Sequence, residues 1–408
     1  MLEREIITKG WKEKESISLQ DYLDQGGFLG LKKALSLSPK TIIKKIKNSN
    51  LKGRSGSAFP TGIKWEAVFK SRKESDSSFI IANGHEGEPF TFKDWYILKK
   101  NPYLVIEGML IAAYTLKVEK GFLTLNHRYF DLERKLKNII KELEEKNFLG
   151  KNILGKNFNF EIEITRVLPY YICGEETALV NYLENKRPEP RRKPPYLSQI
   201  GYLEKPTLVN NIETFANIPL ILRESEKWFS SLGDRNAPGT KLICFEGDVV
   251  SPGIYEVLTG SFLDDVIYKI GGGVVGNSFL AFVGGLASGT IVTSDKFKQP
   301  LTIGCGNFLN LGIGTIIVFN KNRDVFDIAE NLARFLKENS CGHCASCREG
   351  MFFIYEIIKD KKTISPGLYQ EILDILETIE ASGFCNFAKI TSSSLGNFLK
   401  IFKNNFVK

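Results

Sequence analysis

Three cysteines stand at steps of three in the stretch SCGHCASCREG, residues 340–350, which contains Cys341, Cys344 and Cys347. One further cysteine, Cys385, lies in the helical segment that follows the triplet. If the second and third helices of that segment form an αα-hairpin, the chain returns to the triplet after the third helix. Three thiols on one loop and one distant thiol are typical of a [4Fe–4S] cluster, in which each iron takes one cysteine.

Two other interpretations of the four thiols stay open at this point. Structural zinc usually takes two separate C-x2-C pairs, or cysteines together with histidines. His343 lies inside the loop and could replace a thiolate, but four cysteines are available, so we expect it to be a loop residue. The thiols could also be free. Cys244 and Cys305 stand apart from the cluster pattern, and both are predicted to be core residues.

Length and composition set the broad class of the protein. The chain has 408 residues and a formal net charge of +8, which predicts two or three domains. Its first residues carry mixed charges and no apolar core, unlike a signal peptide. The apolar run Leu104–Leu116 contains Glu107 and predicts a buried helix, without direct membrane insertion. We therefore expect a cytoplasmic protein.

The densest basic stretch is Lys186–Tyr196, which prolines interrupt. It predicts a loop, either solvated or facing an anionic ligand. No recognised nucleic-acid-binding module accompanies the positive charge, so nucleic acid is not the expected partner.

The elements that must position these residues fall into three predicted domains. Residues 1–235 alternate strand-like and helical segments, which predicts an α/β domain with parallel strands and crossover helices. Residues 236–322 predict a small domain of mostly short strands with one helix. Residues 323–408 show four amphipathic helical segments, which predict a bundle. The glycine runs Gly271–Gly276 and Val283–Gly289 do not match a phosphate loop and are predicted to be turns of the middle domain.

Three further motifs lie in the first domain. The loop Leu51–Trp65 is rich in small residues but does not match G-x-G-x-x-G. Glu86 and Glu88 follow the predicted strand Phe79–Asn83, at the edge where open α/β sheets bind ligands. The stretch Tyr170–Leu179 ends a strand, turns at a glycine and opens a helix with two glutamates. Such acids can simply cap a helix, and that interpretation stays open.

Taken together, these stretches resemble one family. GRSGSAFPTGIKW, NGHEGEP-x-TFKD, YICGEETAL, KPTLVNNIET and SCGHCASCREG occur in this order. They resemble the NADH-oxidising flavoprotein of NADH-quinone oxidoreductase, the 51 kDa or F component of respiratory complex I, from about Leu19 to the end. Related subunits serve NAD-linked hydrogenases and formate dehydrogenases.

The resemblance implies FMN, NAD(H) and one [4Fe–4S] cluster as cofactors, and a β-grasp-like middle domain. Matching positions imply that FMN contacts Gly53, Arg54, Gly56, Lys64, Asn83, Glu86, Gly174, Glu175, Asn210, Asn211 and Thr214. NADH is then expected to contact Phe59, Glu88, Tyr171 and Glu176, with Tyr196 where the family usually has Phe. Glu86 is the best candidate to orient the nicotinamide or a nearby water. Cys341, Cys344, Cys347 and Cys385 are the expected cluster ligands.

Several positions depart from the family pattern. Ser55 and Ala58 replace usual glycines, and a methyl group at Ala58 opposes a positive φ. His85 replaces a usual Asp beside the flavin, which removes a negative charge and adds a titratable group. Phe90 replaces a usual Gly and Trp95 a usual Arg. Ala67 stands where an aromatic ring often packs near adenine.

The sequence thus predicts the NADH dehydrogenase flavoprotein, which passes a hydride from NADH to FMN and then single electrons to the cluster. The expected partners are a thioredoxin-like [2Fe–2S] subunit and other peripheral-arm iron–sulfur subunits, on a complex peripheral to the inner membrane. One alternative is a diaphorase subunit of a hydrogenase or formate dehydrogenase. Another is a non-catalytic relay subunit that has lost NADH binding.

Overall fold

The computed structural model describes residues 3–304, 308–359 and 361–407. Its strands are β1 Phe79–Gly84, β2 Lys120–Asn126, β3 Glu161–Val167, β4 Thr207–Asn211, β5 Thr240–Gly247, β6 Gly253–Leu258, β7 Ser278–Val283, β8 Thr290–Thr293, β9 Leu301–Thr302, β10 Leu309–Asn310 and β11 Thr315–Asn320. Cys305, predicted to be a core residue, lies outside the described residues.

The helices alternate with these strands in the first half of the chain and follow them in the last part. They are α1 Leu19–Asp24, α2 Leu29–Ala34, α3 Pro39–Asn48, α4 Thr61–Ser71, α5 Lys93–Lys100, α6 Pro102–Leu116, α7 Phe130–Glu145, α8 Glu176–Leu183, α9 Ile212–Arg223, α10 Glu226–Ser230, α11 Leu263–Asp265, α12 Val325–Asn339, α13 Ala345–Ile358, α14 Pro366–Ser382, α15 Asn386–Ile401 and α16 Lys403–Phe406. A short π-helix, Val266–Ile270, continues α11.

The first sheet has the strand order β3-β2-β1-β4, and its three pairings are parallel. The predicted parallel α/β layer is therefore confirmed. The strands end together, so Asn83, Asn126 and Asn211 meet at one edge. Helices α6 and α9 pack against each other beside the sheet. Parallel strands need covered faces, and the apolar α6 supplies that cover.

The second sheet has the order β6-β5-β11-β7-β8. Strands β5 and β11 are parallel, whereas the outer pairings are antiparallel. Of the two glycine runs predicted to be turns, Gly271–Gly276 lies in the connection between the π-helix and β7. The run Val283–Gly289 begins with the last residue of β7 and continues as the turn before β8. Cys244 on β5 is fully buried, which confirms its predicted core position.

The last four long helices, α12 to α15, pack on one another in sequence, and α12 also contacts α15. This confirms the predicted helical C-terminal part. One apolar core joins Ile81 of β1 and Phe282 of β7 to Leu332 of α12 and Phe398 of α15. Both sheets and the C-terminal helices thus share this core. Among the described residues, no helix combines the length and the apolar composition that a membrane crossing requires.

Glu107 in the middle of α6 fastens the N-terminal helices to the first sheet. Its carboxyl group accepts hydrogen bonds from the Tyr22 hydroxyl, from Phe28 N (2.7 Å) and from Leu31 N (2.8 Å). Phe28 has φ +59°, and its N–H has no place in α2, which begins at the next residue. The Glu107 carboxyl group therefore accepts hydrogen bonds from backbone N–H groups of the turn that starts α2.

Glu107→Ala is expected to lower the free energy of unfolding by about 3 kcal/mol or more, because it leaves three buried donors unpaired at about 1–3 kcal/mol each. Urea unfolding measures the change. Glu66→Ala is the control. Within the described ranges Glu66 forms surface ion pairs with Lys47 and Lys70, and such pairs contribute about 0–1 kcal/mol. A loss at Glu107 no larger than the loss at Glu66 would contradict the anchoring role.

Candidate functional site

The cysteine triplet occupies the loop between α12 and α13 and the first turn of α13. Cys344 immediately precedes α13, and Cys385 immediately precedes α15. The chain returns to the triplet after α14, as the predicted αα-hairpin requires: Phe384 N donates to Cys344 Sγ (3.3 Å), and Ser382 Oγ bonds Ser346 Oγ (2.8 Å).

The four cysteine thiols lie near enough for their charges to interact. A [4Fe–4S] cluster takes one thiolate at each of four irons, so four thiols are the number that it needs. Burial raises the pKa of Cys347 to about 11, so this thiol ionises when a metal cation binds.

His343 does not point among the thiols. Its Nδ1 lies 3.3 Å from a Glu189 carboxylate oxygen, and its ring packs on Phe384 with centroids 5.0 Å apart. Arg187 donates to Cys341 O (2.5 Å) and Arg348 to Gly342 O (2.8 Å), so two guanidinium groups hold the loop backbone. These contacts agree with the prediction that His343 is a loop residue.

The glycine-rich loop closes on itself in front of α4. Gly53 N donates to Phe59 O (2.9 Å), and Arg54 N donates to Thr214 Oγ1 (2.9 Å). A Cβ atom at Gly53 or Gly56 would meet no described protein atom closer than 3.5 Å. Packing within the described chain therefore does not require glycine at either position, which fits a loop that a ligand approaches closely.

The Arg54 side chain turns inward. It is fully buried, and its Nη2 donates to Pro238 O (2.6 Å). Its Nε and Nη1 have no partner among the described residues, and Phe229 lies 5.8 Å from the guanidinium carbon. Burial lowers the pKa of Arg54 to about 10, which leaves the group charged. Two unpaired donors fit a ligand with acceptor oxygens or nitrogens.

The turn after β1 joins the turn before α8. Asn83 Nδ2 donates to Gly174 O (2.8 Å), and His85 N donates to Asn83 Oδ1 (3.1 Å). His85 Nε2 bonds Leu168 O (2.8 Å), whereas its buried Nδ1 has no described partner. Burial lowers the pKa of His85 to about 4. The titratable group predicted at this position is therefore neutral near pH 7.

Glu86 accepts hydrogen bonds from Asp94 N (2.7 Å), Trp95 N (3.0 Å) and Tyr129 Oη (3.3 Å). Its own carbonyl accepts from Asn126 Nδ2 (2.8 Å) at the end of β2. Burial and the Asp94 carboxylate raise the pKa of Glu86 to about 7. Glu86 is thus a carboxyl group at the sheet edge that changes charge near neutral pH.

Glu88 and Tyr171 connect the first sheet to the other two parts of the chain. The buried Glu88 carboxylate accepts from Ala287 N (2.7 Å) and Ser288 Oγ (3.1 Å), both in the turn after β7. Tyr171 N donates to Asn339 Oδ1 (2.9 Å) at the end of α12. Burial raises the pKa of Glu88. Both of these predicted NADH contacts therefore lie where the three parts of the chain meet.

The two glutamates at the start of α8 have different roles. Glu175 caps the helix, because its Oε2 accepts from Thr177 N (2.8 Å) and Ala178 N (2.9 Å). Glu176 does not cap the helix but pairs with Lys64 and Lys193, each at 2.8 Å, and Lys193 also contacts Glu175 Oε1 at 3.1 Å. Burial opposes ionisation, but the two lysines lower the pKa of Glu176 to about 2. Capping is therefore the role of Glu175, and Glu176 is a paired anion.

The end of β4 supplies amide and hydroxyl groups. Asn211 caps α9 through Glu213 N (3.0 Å) and donates to Asp94 Oδ2 (2.6 Å). Asn210 is buried, and its amide can accept from Trp65 Nε1 (3.1 Å). Thr214 is buried beneath Arg54. By contrast, Phe59 and Tyr196 are 46% and 56% exposed, so their rings are free to contact a ligand from solution.

A group of six ionisable residues, here called the charge cluster, lies behind this edge: Arg54, Glu86, Lys93, Asp94, Glu213 and Lys241. Lys93 Nζ is 2.6 Å from Asp94 and 3.2 Å from Glu213, and Lys241 Nζ is 2.5 Å from Glu213. Sequence reasoning missed Lys93, Asp94, Glu213 and Lys241. Lys93 and Asp94 end the TFKD motif and Glu213 lies in NNIET, so part of the signal was present.

The departures from the family pattern have structural consequences at two positions. Ala58 adopts φ +50° and Phe90 adopts φ +63°, the left-handed region that favours glycine. The backbone at Ala58 is therefore strained, because the Cβ methyl group disfavours the positive φ that this residue adopts. Trp95, in contrast, contributes its backbone N–H, which donates a hydrogen bond to the Glu86 carboxylate.

Two known families match this chain, one over most of its first half and one over its C-terminal helices. Residues 46–220 match the Nuo51 FMN-binding domain, and residues 327–408 match the NADH-ubiquinone oxidoreductase-F iron-sulfur binding region. The F subunit of the NADH-quinone oxidoreductase of Aquifex aeolicus is 38% identical over 352 residues, covering 85% of this chain and 80% of that protein. Its Escherichia coli counterpart is 33% identical over 401 residues, covering 97% and 90%.

Relatives from hydrogenases are also similar. NADP-reducing hydrogenase subunit HndC of Solidesulfovibrio fructosivorans is 34% identical over 397 residues, covering 95% of this chain and 80% of that protein. The NAD+-reducing [NiFe]-hydrogenase in the H2-reduced state superposes with a TM-score of 0.85 at 29% identity, over 95% of this chain and 66% of that chain. With these matches over most of its length, the chain belongs to the family of NADH-quinone oxidoreductase F subunits.

Proposed function

We propose that this chain is the NADH-oxidising electron-input subunit of NADH-quinone oxidoreductase, with FMN and one [4Fe–4S] cluster as cofactors. Bound FMN supplies the chemistry of accepting a hydride from NADH and releasing the electrons one at a time. The observation that carries the proposal is the meeting of Cys385 with the cysteine triplet, where Phe384 N contacts Cys344 Sγ at 3.3 Å. The resulting four-thiol group lies in the region that matches the iron-sulfur model.

We also propose that the chain is divided into three domains. Residues 1–235 form the FMN- and NADH-binding α/β domain, residues 236–322 a β-grasp-like domain, and residues 323–408 the helical cluster domain. The separate strand orders of the two sheets and the mutual packing of α12 to α15 support this division.

The flavin site is proposed at the carboxyl edge of the first sheet. Gly53 and Gly56 leave room for the ring, and Arg54 and Lys64 supply positive charge. Arg54 Nε and Nη1 and His85 Nδ1 have no hydrogen-bond partner in the part of the chain that the structure describes, which supports a polar ligand there. Asn83, Glu86, Gly174, Glu175, Asn210, Asn211 and Thr214 complete the proposed FMN contacts.

NADH is proposed to bind across the same edge. Phe59 and Tyr196 offer exposed rings for adenine, and Glu176 lies between two lysines at the start of α8. Glu88 and Tyr171 are proposed to face the nicotinamide, although Glu88 is held by the turn after β7. Glu86 is proposed to position the nicotinamide or a water.

A diaphorase function is the second candidate. The structural likeness to the NAD+-reducing hydrogenase supports it, as does the identity to HndC. Both candidates use the same site and the same cofactors. They differ in the partner subunit that receives the electrons.

A visible spectrum and an NADH–ferricyanide assay on the isolated chain test the proposal. Bound flavin, a bound cluster and NADH-dependent ferricyanide reduction are the expected result. A chain that binds the cluster but no flavin would support the relay alternative instead.

We further propose that the chain is part of a cytoplasmic complex that is peripheral to the inner membrane, and that it lies beside a thioredoxin-like [2Fe–2S] subunit. One cluster motif occurs in the sequence, so electrons must leave to another protein. Purification from the native host is expected to bring a smaller [2Fe–2S] protein with this chain. A stable native monomer with direct quinone reductase activity would contradict this prediction.

A further inference from the structure

We propose that Glu86 is the proton-uptake site of the charge cluster: it binds one proton from solvent whenever the bound flavin gains negative charge. This inference rests on the proposed function, since it requires a flavin that NADH reduces. It assigns to Glu86 a proton-holding role beyond positioning the substrate.

Among the six cluster residues, the charges balance only while Glu86 is ionised. The charge of the buried Glu256 carboxyl also acts on Arg54, but Glu256 is not a member of the cluster and accepts its hydrogen bonds from Ile6, Ile7, Thr8 and Thr240. The cations are Arg54, Lys93 and Lys241, and the anions are Asp94, Glu213 and Glu86. All except Glu86 are buried, each with at most 3% of its surface exposed. In such surroundings a net charge is costly, so the cluster responds to an added negative charge by binding a proton.

Glu86 is the carboxylate of this cluster that can accept the proton most easily. Asp94 contacts Lys93 at 2.6 Å, and Glu213 contacts Lys241 at 2.5 Å. Protonating Glu213 would leave the buried Lys241 ammonium group without its anion. Protonating Asp94 would leave Lys93 only its longer contact with Glu213, at 3.2 Å, so both protonations are unfavourable. Among the described residues, no cationic nitrogen lies within ion-pair distance of Glu86, which is held only by two backbone N–H groups and Tyr129.

The surroundings of Glu86 link it both to the proposed flavin site and to solvent. Asp94 joins the two, because its backbone N–H donates to Glu86 and its carboxylate accepts from Asn211. Glu86 keeps partial exposure, unlike the rest of the cluster, so a proton can reach it. The titratable groups that face it are Asp94 and Lys93 of α5, Tyr129 after β2 and Cys244 of β5.

The step balances in atoms and charge. NADH gives up a hydride and leaves as NAD+, so the flavin gains one proton, two electrons and one net negative charge. The Glu86 carboxylate takes one proton from solvent and becomes a carboxylic acid. When the two electrons leave singly through the cluster to an external one-electron acceptor, the flavin's proton and that of Glu86 return to solvent.

The test is the pH dependence of the midpoint potential of the flavin in the full chain, measured by spectroelectrochemistry. Each proton bound per two electrons changes the reduction equilibrium tenfold per pH unit, about 30 mV for a two-electron couple. Since the pKa of Glu86 is about 7 with the flavin oxidised, the extra proton is taken up above that pH. The wild type is expected to show a two-proton slope there. A one-proton slope above pH 7 would overturn the proposal without any variant.

Glu86→Gln is expected to reduce the slope above pH 7 to that of one proton. Glu107→Gln is the matched control, because Glu107 also accepts from two backbone N–H groups and a tyrosine hydroxyl, and its partners Tyr22, Phe28 and Leu31 are not members of the cluster. Its slope should equal the wild-type slope. If Glu86→Gln also keeps the two-proton slope, the flavin itself takes the proton and the proposal is wrong.

Tyr129→Phe keeps the proposal testable if Glu86→Gln fails to fold. Loss of the phenol removes a donor that favours the ionised carboxylate, so the two-proton slope should begin at a higher pH than in the wild type. Infrared difference spectra of reduced minus oxidised protein should show a gained carboxylic acid band that Glu86→Gln lacks. A chain without flavin would contradict the proposed function, whereas bound, NADH-reducible flavin with a one-proton slope would contradict only this inference.

Discussion

Replacing Cys385 by serine is expected to abolish or strongly perturb the EPR signal of the reduced cluster and to lower the iron content of the chain. Cys385 lies at the end of the α14–α15 connection, whereas the other three thiols lie on one loop. A serine oxygen is a poorer ligand for iron than a thiolate, and the three remaining cysteines cannot complete four sites. Because the cluster joins α13 to α15, the C-terminal helices should also unfold more easily.

Cys244→Ser controls for the loss of a thiol. Cys244 is fully buried on β5 and contacts Phe92 N at 3.3 Å, outside the triplet, so its replacement should leave the iron content and the EPR signal unchanged. An unchanged iron content and spectrum in Cys385→Ser would refute the ligand assignment. Stoichiometric zinc without iron after anaerobic purification would refute the cluster itself.

The parts of the fold that the sequence predicted correctly are those with local signals. The strand Phe79–Gly84 is a short apolar run bounded by turn residues, and α7 has a regular apolar face, so both are recognisable without their neighbours. The return of Cys385 to the triplet was predictable for the same reason. Two helices joined by a short connection run antiparallel, which fixes where the chain comes back.

The contacts that the sequence did not predict join distant segments. Glu88 accepts a hydrogen bond from Ala287 N, 199 residues away, and Lys241 on β5 of the second sheet forms an ion pair with Glu213 on α9. The periodicity of apolar residues does not reveal such pairs, because each partner lies in a segment whose own pattern predicts only a strand, a helix or a loop. The small helices before Thr61 were also missed, since short helices depend on tertiary packing more than on their own propensity.

The choice of cap at α8 illustrates a finer limit. The sequence shows two adjacent glutamates and cannot tell which one the helix start will use. In the structure Glu175 precedes the first helical residue with extended backbone, and its carboxylate turns back to the free N–H groups. Glu176 then points to Lys64 and Lys193. Backbone conformation at one residue separates the two roles.

Glu176→Gln is expected to raise kcat/KM for NADPH and to lower it somewhat for NADH. We propose that the carboxylate lies near the adenosine ribose, where it can accept hydrogen bonds from the hydroxyl groups and repels a 2′-phosphate. The two lysines hold the pKa of Glu176 at about 2, so it stays charged at every working pH. Its removal leaves Lys64 and Lys193 without this partner, and both then attract the phosphate.

The relative preference should change by roughly ten- to a hundredfold, about 1.5–3 kcal/mol, in steady-state kinetics with both nucleotides. Glu184→Gln is the matched control, because it neutralises a paired carboxylate at the other end of α8, where Glu184 contacts Lys186 (2.7 Å) and Arg191 (2.8 Å). That variant should keep its nucleotide ratio, because Glu184 is not one of the proposed NADH contacts. An unchanged NADH/NADPH ratio in Glu176→Gln would mean that the ion pairs with Lys64 and Lys193 only fasten α8 to its neighbours, and that other residues select the nucleotide.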